Sequence, residues 1–131
     1  MKNLVVFFCL SIFFIAFSEE EKYSKGEQLF HKYNCSSCHA PDRRVVGPSF
    51  LEISKRYGTS KKAIEKVAKL IIKPNPANWP GMAYMPPFDI PWEDAIELAK
   101  YVLIDSVKNL KKNQKKENIY DEYIDLDSQF H

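Results

Sequence analysis

Residues 34–40 read NCSSCHA and place two thiols and an imidazole within Cys35-Ser36-Ser37-Cys38-His39. Three chemistries share that spelling: a zinc site, a redox dithiol, and a pair of thiols that become thioethers on a haem edge. A structural zinc site takes four side-chain ligands, and neighbours such as Cys38 and His39 rarely both reach one tetrahedral ion. The other histidines are His31, a turn before the motif, and His131 at the chain end, and there is no second cysteine pair. Zinc is therefore short of ligands. A thioredoxin-like dithiol needs strand and helix around it, and no stretch of this chain alternates as a strand does. Haem attachment fits the spacing. Two thiols three residues apart on a helical turn meet the two vinyl groups of one haem, and the next residue projects an imidazole over its face toward the iron. Attachment also consumes two thiols that an oxidising compartment would otherwise join.

A second axial ligand is expected from the segment Pro74 to Pro91, which holds six prolines and is read as loop. The same segment carries Trp79, Met82, Tyr84, Met85 and Phe88, a load of large apolar groups that needs a body to pack against. Thioether sulfur is a soft ligand that favours ferrous iron. Met82 and Met85 are the methionines after Met1, and Met85 is preferred because Pro86 and Pro87 stiffen the backbone that must hold its sulfur.

The elements that position these groups are helical. Ser24 to Asn34 spaces Leu29, Phe30 and Tyr33 on one face and leads into the cysteines. Ala40 to Pro48 is loop, and Ser49 to Tyr57 is a short helix stopped by Gly58. Thr59 or Ser60 caps a third helix running to about Lys73, with Ala63, Ile64, Val67, Leu70 and Ile71 facing a core and Lys62, Lys66, Lys69 and Lys73 facing away. A last helix starts near Pro91, with Glu93 and Asp94 at its positive end and Lys108, Lys111 and Lys112 at its negative end. Beyond about Lys112 the pattern decays, and a mobile tail with room for a further helical turn is expected. The fold class is all-α.

The first residues stand apart from this domain. Lys2 precedes an apolar run from Leu4 to Phe17, the run closes on the small-x-small pattern Ala16-Phe17-Ser18, and Glu19, Glu20 and Glu21 follow. That is the layout of an export signal cleaved before Glu19. A retained span needs about 20 apolar residues, and this run is shorter. Cys9 would leave with the leader. The expected organisation is a signal peptide at 1–18, one domain at 19–108 and a charged extension at 109–131. With 19 Lys and Arg against 17 Asp and Glu the charge is nearly balanced, and no nucleic-acid motif is present. From Lys55 to Lys73 seven basic residues face a single Glu65, which reads first as a solvated helix face and second as a site for an anionic partner.

Four stretches in order, GEQLFHKYNCSSCHA, VVGPSF, WPGMAYMPP and ELAKYVL, make the chain resemble the short bacterial class I cytochromes c over about Lys25 to Ile104. These are periplasmic single-haem carriers that donate electrons to nitrite reductases and terminal oxidases. The resemblance implies four to five helices wrapped around one covalently bound haem c, with thioethers at Cys35 and Cys38. It implies His39 as proximal and Met85 as distal iron ligand, the Pro48 carbonyl accepting from His39, and the Trp79 indole reaching a haem propionate. It also implies that Gly26 and Phe30 pack on Leu98 and Tyr101. The chain departs from the family pattern in three places. Phe88 follows M-P-P where relatives often carry asparagine, Ile71 stands where a basic residue near the propionates is expected, and Trp79 lies one residue further from its methionine.

With both axial positions filled by protein, the expected function is electron transfer rather than catalysis. The implied location is the periplasm, without stable membrane insertion after signal cleavage. The implied partners are periplasmic electron donors and acceptors docking transiently at the haem edge near Cys35 to Pro41 and the Met85 loop. Arg43, Arg44 and the Lys55 to Lys73 helix would steer an acidic partner. Two rivals stand beside this reading. One is a dedicated cytochrome subunit of a periplasmic sulfite- or nitrite-oxidoreductase complex, and the other is a gas- or peroxide-handling protein with an open iron. Di-haem peroxidases need two C-x-x-C-H motifs, and this chain has one.

Overall fold

Three serines start three helices by the same device. In a computed structural model, which describes residues 23–128 and side chains as far as 121, Ser24, Ser49 and Ser60 each accept the backbone N–H three residues on. Each thereby satisfies an N–H that a helix start leaves without a partner. The helices they open are α1 (Lys25–Lys32), α2 (Phe50–Tyr57) and α3 (Lys61–Ile72). Gly58 ends α2 at φ 78°, a conformation that a side chain disfavours, and its N–H bonds the Ser54 carbonyl at 2.8 Å. Pro91 precedes α4 (Trp92–Lys100), which passes through a π-turn (Tyr101–Asp105) into α5 (Ser106–Ser128). Among the described residues there is no strand, only an isolated bridge between His39 and Arg44. The expected all-α class holds.

Two clusters make the core. Leu29, Phe30, Phe50, Leu98, Tyr101 and Val102 form one, where α1, α2 and the last rod meet. Phe30, Phe50 and Tyr101 pack there with ring centroids 5.4 to 5.9 Å apart. Ala63, Val67, Ala68, Ala95, Ala99 and Leu103 form the other, where small side chains let α3 and α4 lie close. Gly26 does the same for α1. A Cβ there would strike the Glu97 carbonyl oxygen and come within 2.6 Å of the Tyr101 Cβ. The expected packing of Gly26 and Phe30 on Leu98 and Tyr101 is what the helices adopt.

The last rod differs from the single regular helix expected. In the π-turn the Ser106 N–H reaches back five residues to Tyr101, and the Ser54 hydroxyl donates to the Leu103 carbonyl at 2.8 Å. The widened turn buries three consecutive side chains, Tyr101, Val102 and Leu103, which serve both core clusters. Beyond it α5 runs on to Ser128, so the expected mobile tail is helix over most of its length. Every residue from 111 to 121 is exposed. Lys, Gln and Glu are good helix formers by local propensity alone, and a helix with no buried face has no hydrophobic period to reveal it. The expected leader lies outside the described residues.

Candidate haem site

The cysteines sit on a turn that the chain enters by reversing. Asn34 takes the left-handed region at φ 56°, ψ 33°, and Cys35–Ser37 then forms a 3₁₀ turn. The N–H groups of Cys38 and His39 both donate to the Cys35 carbonyl, at 3.1 and 3.0 Å. The Ser37 hydroxyl ties the turn back to the Asn34 carbonyl at 2.9 Å. Both thiols are half-buried and are not joined to each other. Burial pushes the Cys35 thiol above its ordinary pKa, with proximity to Cys38 a smaller push in the same direction.

The loop after the motif is pinned at both ends. Val46 and Gly47 donate to the Cys38 carbonyl at 3.1 and 2.9 Å, and Phe50 donates to the Ala40 carbonyl at 3.1 Å. Arg44 reaches Glu52 on the first turn of α2, with Nε 2.7 Å from Oε1. The Arg44 guanidinium, with the Ser49 N–H beside it, holds the Glu52 carboxyl down to about 2. Arg43 pairs with Asp42 at 3.3 Å. Both arginines expected to steer a partner are thus already answered by a neighbouring carboxylate.

His39 is held from three directions. Its Nδ1 lies 2.8 Å from the Pro48 carbonyl oxygen. A carbonyl only accepts, so Nδ1 carries the proton and Nε2 keeps a free lone pair. The ring stacks on Phe50 with centroids 5.8 Å apart and planes at 25°. Behind it lies Gly47, where a Cβ would stand 2.5 Å from the imidazole Cε1.

These groups open on a cavity of about 300 Å³. Cys35, Cys38 and His39 line it from the motif, Phe50, Ile53 and Tyr57 from α2, and Val67, Leu70 and Ile71 from α3. The loop contributes Trp79, Met82, Met85 and Phe88, and the last rod contributes Leu98 and Val102. That loop is irregular, as expected, apart from a 3₁₀ turn at Pro76–Asn78. Trp79-Pro80-Gly81-Met82 closes as a tight turn, with Gly81 at φ 83° and the Met82 N–H bonded to the Trp79 carbonyl at 3.2 Å. Cys35, Cys38, His39, Pro48, Trp79 and Met85 all border the one cavity, and so does the alternative, Met82. Sequence reasoning missed Gly47 and Tyr57. Tyr57 had a signal, because it shares a helical face with Phe50 and Ile53.

Residues and cavity fit a haem. The lining is largely apolar, as a macrocycle requires, and one imidazole nitrogen, two thioether sulfurs and two thiols converge on it. Tyr57 lines the same cavity, and its hydroxyl is buried with no partner from the protein. Among the described residues no three His, Cys, Asp or Glu side chains gather to hold a metal ion by themselves. No described helix is long and apolar enough to cross a membrane.

An all-helical domain wrapped on such a cavity, with C-x-x-C-H at its mouth, defines a small c-type cytochrome. The chain belongs to the cytochrome c family, which it matches over residues 23–104. It is 32% identical over 80 residues to cytochrome c-551 of Pseudomonas denitrificans, a match covering 61% of this chain and 96% of that protein. It is 36% identical over 78 residues to cytochrome c-551 of Azotobacter vinelandii, covering 60% and 94%. Cytochrome c-552 of Hydrogenobacter thermophilus is 32% identical over 78 residues, covering 60% and 79%. The protein is an electron carrier rather than an enzyme and binds one covalently attached haem c.

Proposed function

We propose that this cytochrome shuttles electrons between periplasmic partners through a haem iron bound by His39 Nε2 and the Met85 sulfur, with thioethers at Cys35 and Cys38. The observation that carries the reading is the His39 geometry. Nδ1 is committed to the Pro48 carbonyl at 2.8 Å, so Nε2 is the nitrogen left to ligate, in a cavity that Met85 also lines. When bound, the haem supplies a one-electron couple between ferric and ferrous iron. The chain's part is to fix both ligands and keep water away. Phe50, Leu70, Phe88 and Val102 exclude solvent, and the hydrogen bond to Pro48 raises the basicity of the imidazole and stops its rotation. Ligands that do not move between oxidation states cost little reorganisation. Trp79 serves the propionate end.

Export before Glu19 places the mature chain in the periplasm. Partners dock transiently at the haem edge, where Val45, Val46 and Tyr84 are exposed apolar groups. Lys61, Lys62 and Lys69 stand exposed on α3 and steer an acidic partner. A second reading, a dedicated subunit of an oxidoreductase complex, is favoured by one feature, the exposed helix α5. Co-purification of a second polypeptide supports that reading, and a monomer in solution counts against it.

Optical spectra of the exported holoprotein, oxidised and reduced, decide the ligand. Met85→Ala is expected to abolish the weak long-wavelength sulfur-to-iron band of the ferric protein, whereas Met82→Ala leaves it in place. The reverse pattern makes Met82 the ligand, and high-spin spectra in the unsubstituted protein restore the open-iron reading.

A further inference from the structure

Among the described residues the Tyr57 hydroxyl is the one buried side-chain oxygen or nitrogen without a hydrogen-bond partner. A buried hydroxyl left unpaired is costly, so its position at a cavity wall points to a partner that the polypeptide does not itself provide. The surroundings say what kind. The Arg56 guanidinium lies 5.9 Å from the Tyr57 ring centroid and 4.7 Å from that of Trp79, and so spans the two aromatic groups. From α3 the Lys66 ammonium lies 5.3 Å from the same Tyr57 ring. The neighbouring cavity-lining residues of the loop, Pro74, Asn75, Pro76, Asn78 and Trp79, carry no charge. Two cations therefore flank the ring of Tyr57, a residue that lines the cavity and carries the unsatisfied donor, and no carboxylate of the chain lines the cavity. Such a setting suits an anion with hydrogen-bond acceptors. Ile71, the position where a basic residue was expected to serve the propionates, is packed against both core clusters.

We propose that Tyr57 donates its hydroxyl to a haem propionate, with Arg56 supplying the positive charge that the chain lacks at Ile71. The proposal rests on haem occupying this cavity but not on the identity of its axial ligands. A donor and a cation at the carboxylate favour its ionised form and lower its pKa. Tyr57 is then a positioning residue that fixes the propionate edge and sets the pH at which it titrates.

The test uses the ferric holoprotein. Haem-methyl NMR shifts are followed against pH for the unsubstituted protein, Tyr57→Phe and Arg56→Gln, with the reduction potential measured over the same range. Tyr57→Phe is expected to keep its optical spectrum and to raise the apparent propionate pKa by about one unit, and Arg56→Gln to shift it in the same direction. The potential of both variants then changes with pH where that of the parent is flat. A Tyr57→Phe titration that superimposes on the parent overturns the proposal and leaves the phenol against water. Should that variant carry no haem, the parent alone decides. A slowly exchanging hydroxyl proton of Tyr57 showing a nuclear Overhauser effect to a propionate methylene supports the proposal, and its absence refutes it. A wrong choice of axial methionine shows as the reversed pattern in the Met82→Ala and Met85→Ala spectra and leaves the effect of Tyr57→Phe on the propionate titration intact, so the two failures are distinguishable.

Discussion

At the scale of single residues, the imidazole of His39 is controlled by groups that do no redox chemistry themselves. Pro48 fixes the tautomer, Phe50 fixes the plane, and Gly47 makes room for the ring. The glycine is needed for space rather than for backbone freedom, since its φ is outside the left-handed region. Gly47→Ala is therefore expected to overpack the ring, at a cost of about 1–3 kcal/mol, and to lower the yield of haem-loaded protein. Thermal unfolding and the ratio of haem absorbance to protein measure the two effects, and parent-like values in both would refute the steric account. Cys35, Cys38 and His39 were legible in the sequence because attachment chemistry demands them side by side. Pro48 and Trp79 were legible only through a family resemblance. Gly47 carried no signal of its own, since its role exists only where His39 folds back over it.

At the scale of elements, the start of α2 also anchors the loop. Glu52 completes a capping box with Ser49, accepting from the Ser49 N–H at 3.0 Å, and the same carboxylate takes Arg44. Its folded-state pKa, about 2, lies below the unfolded value for a glutamate, about 4.3. The sign follows from linkage. The contribution is complete above the unfolded pKa and is lost as pH falls through the folded one. Between about pH 4.3 and pH 2 the parent should lose stability that Glu52→Gln never had, so its urea midpoint should fall more steeply with acid. Parallel midpoint curves for the two proteins would contradict this. The capping serines and Gly58 showed the helix ends in the sequence, because capping depends on local backbone groups. The π-turn at Tyr101–Asp105 did not show, because a partner 49 residues away in sequence, the Ser54 hydroxyl, accommodates its Leu103 carbonyl.

For the whole molecule, the main question is how far the domain extends. The core clusters end at Leu103 and Ile104, Ser106 is still buried, and α5 is fully exposed from 111 to 121. Truncation after Lys112 is expected to leave the haem spectrum unchanged and to move the melting temperature by less than about 2 °C, while far-ultraviolet dichroism loses helical signal. A larger fall in melting temperature would show that the extension stabilises the domain. The sequence by itself determined the attachment chemistry, the all-α class and most helix boundaries, since each depends on neighbours in the chain. Only the tertiary structure decided that a π-turn interrupts the last rod, and that Arg44 is paired with Glu52 rather than left for a partner. The same holds for Tyr57, whose buried hydroxyl is without a protein partner. Those outcomes depend on which distant groups meet, and burial sets their cost only once the helices have closed around the cavity.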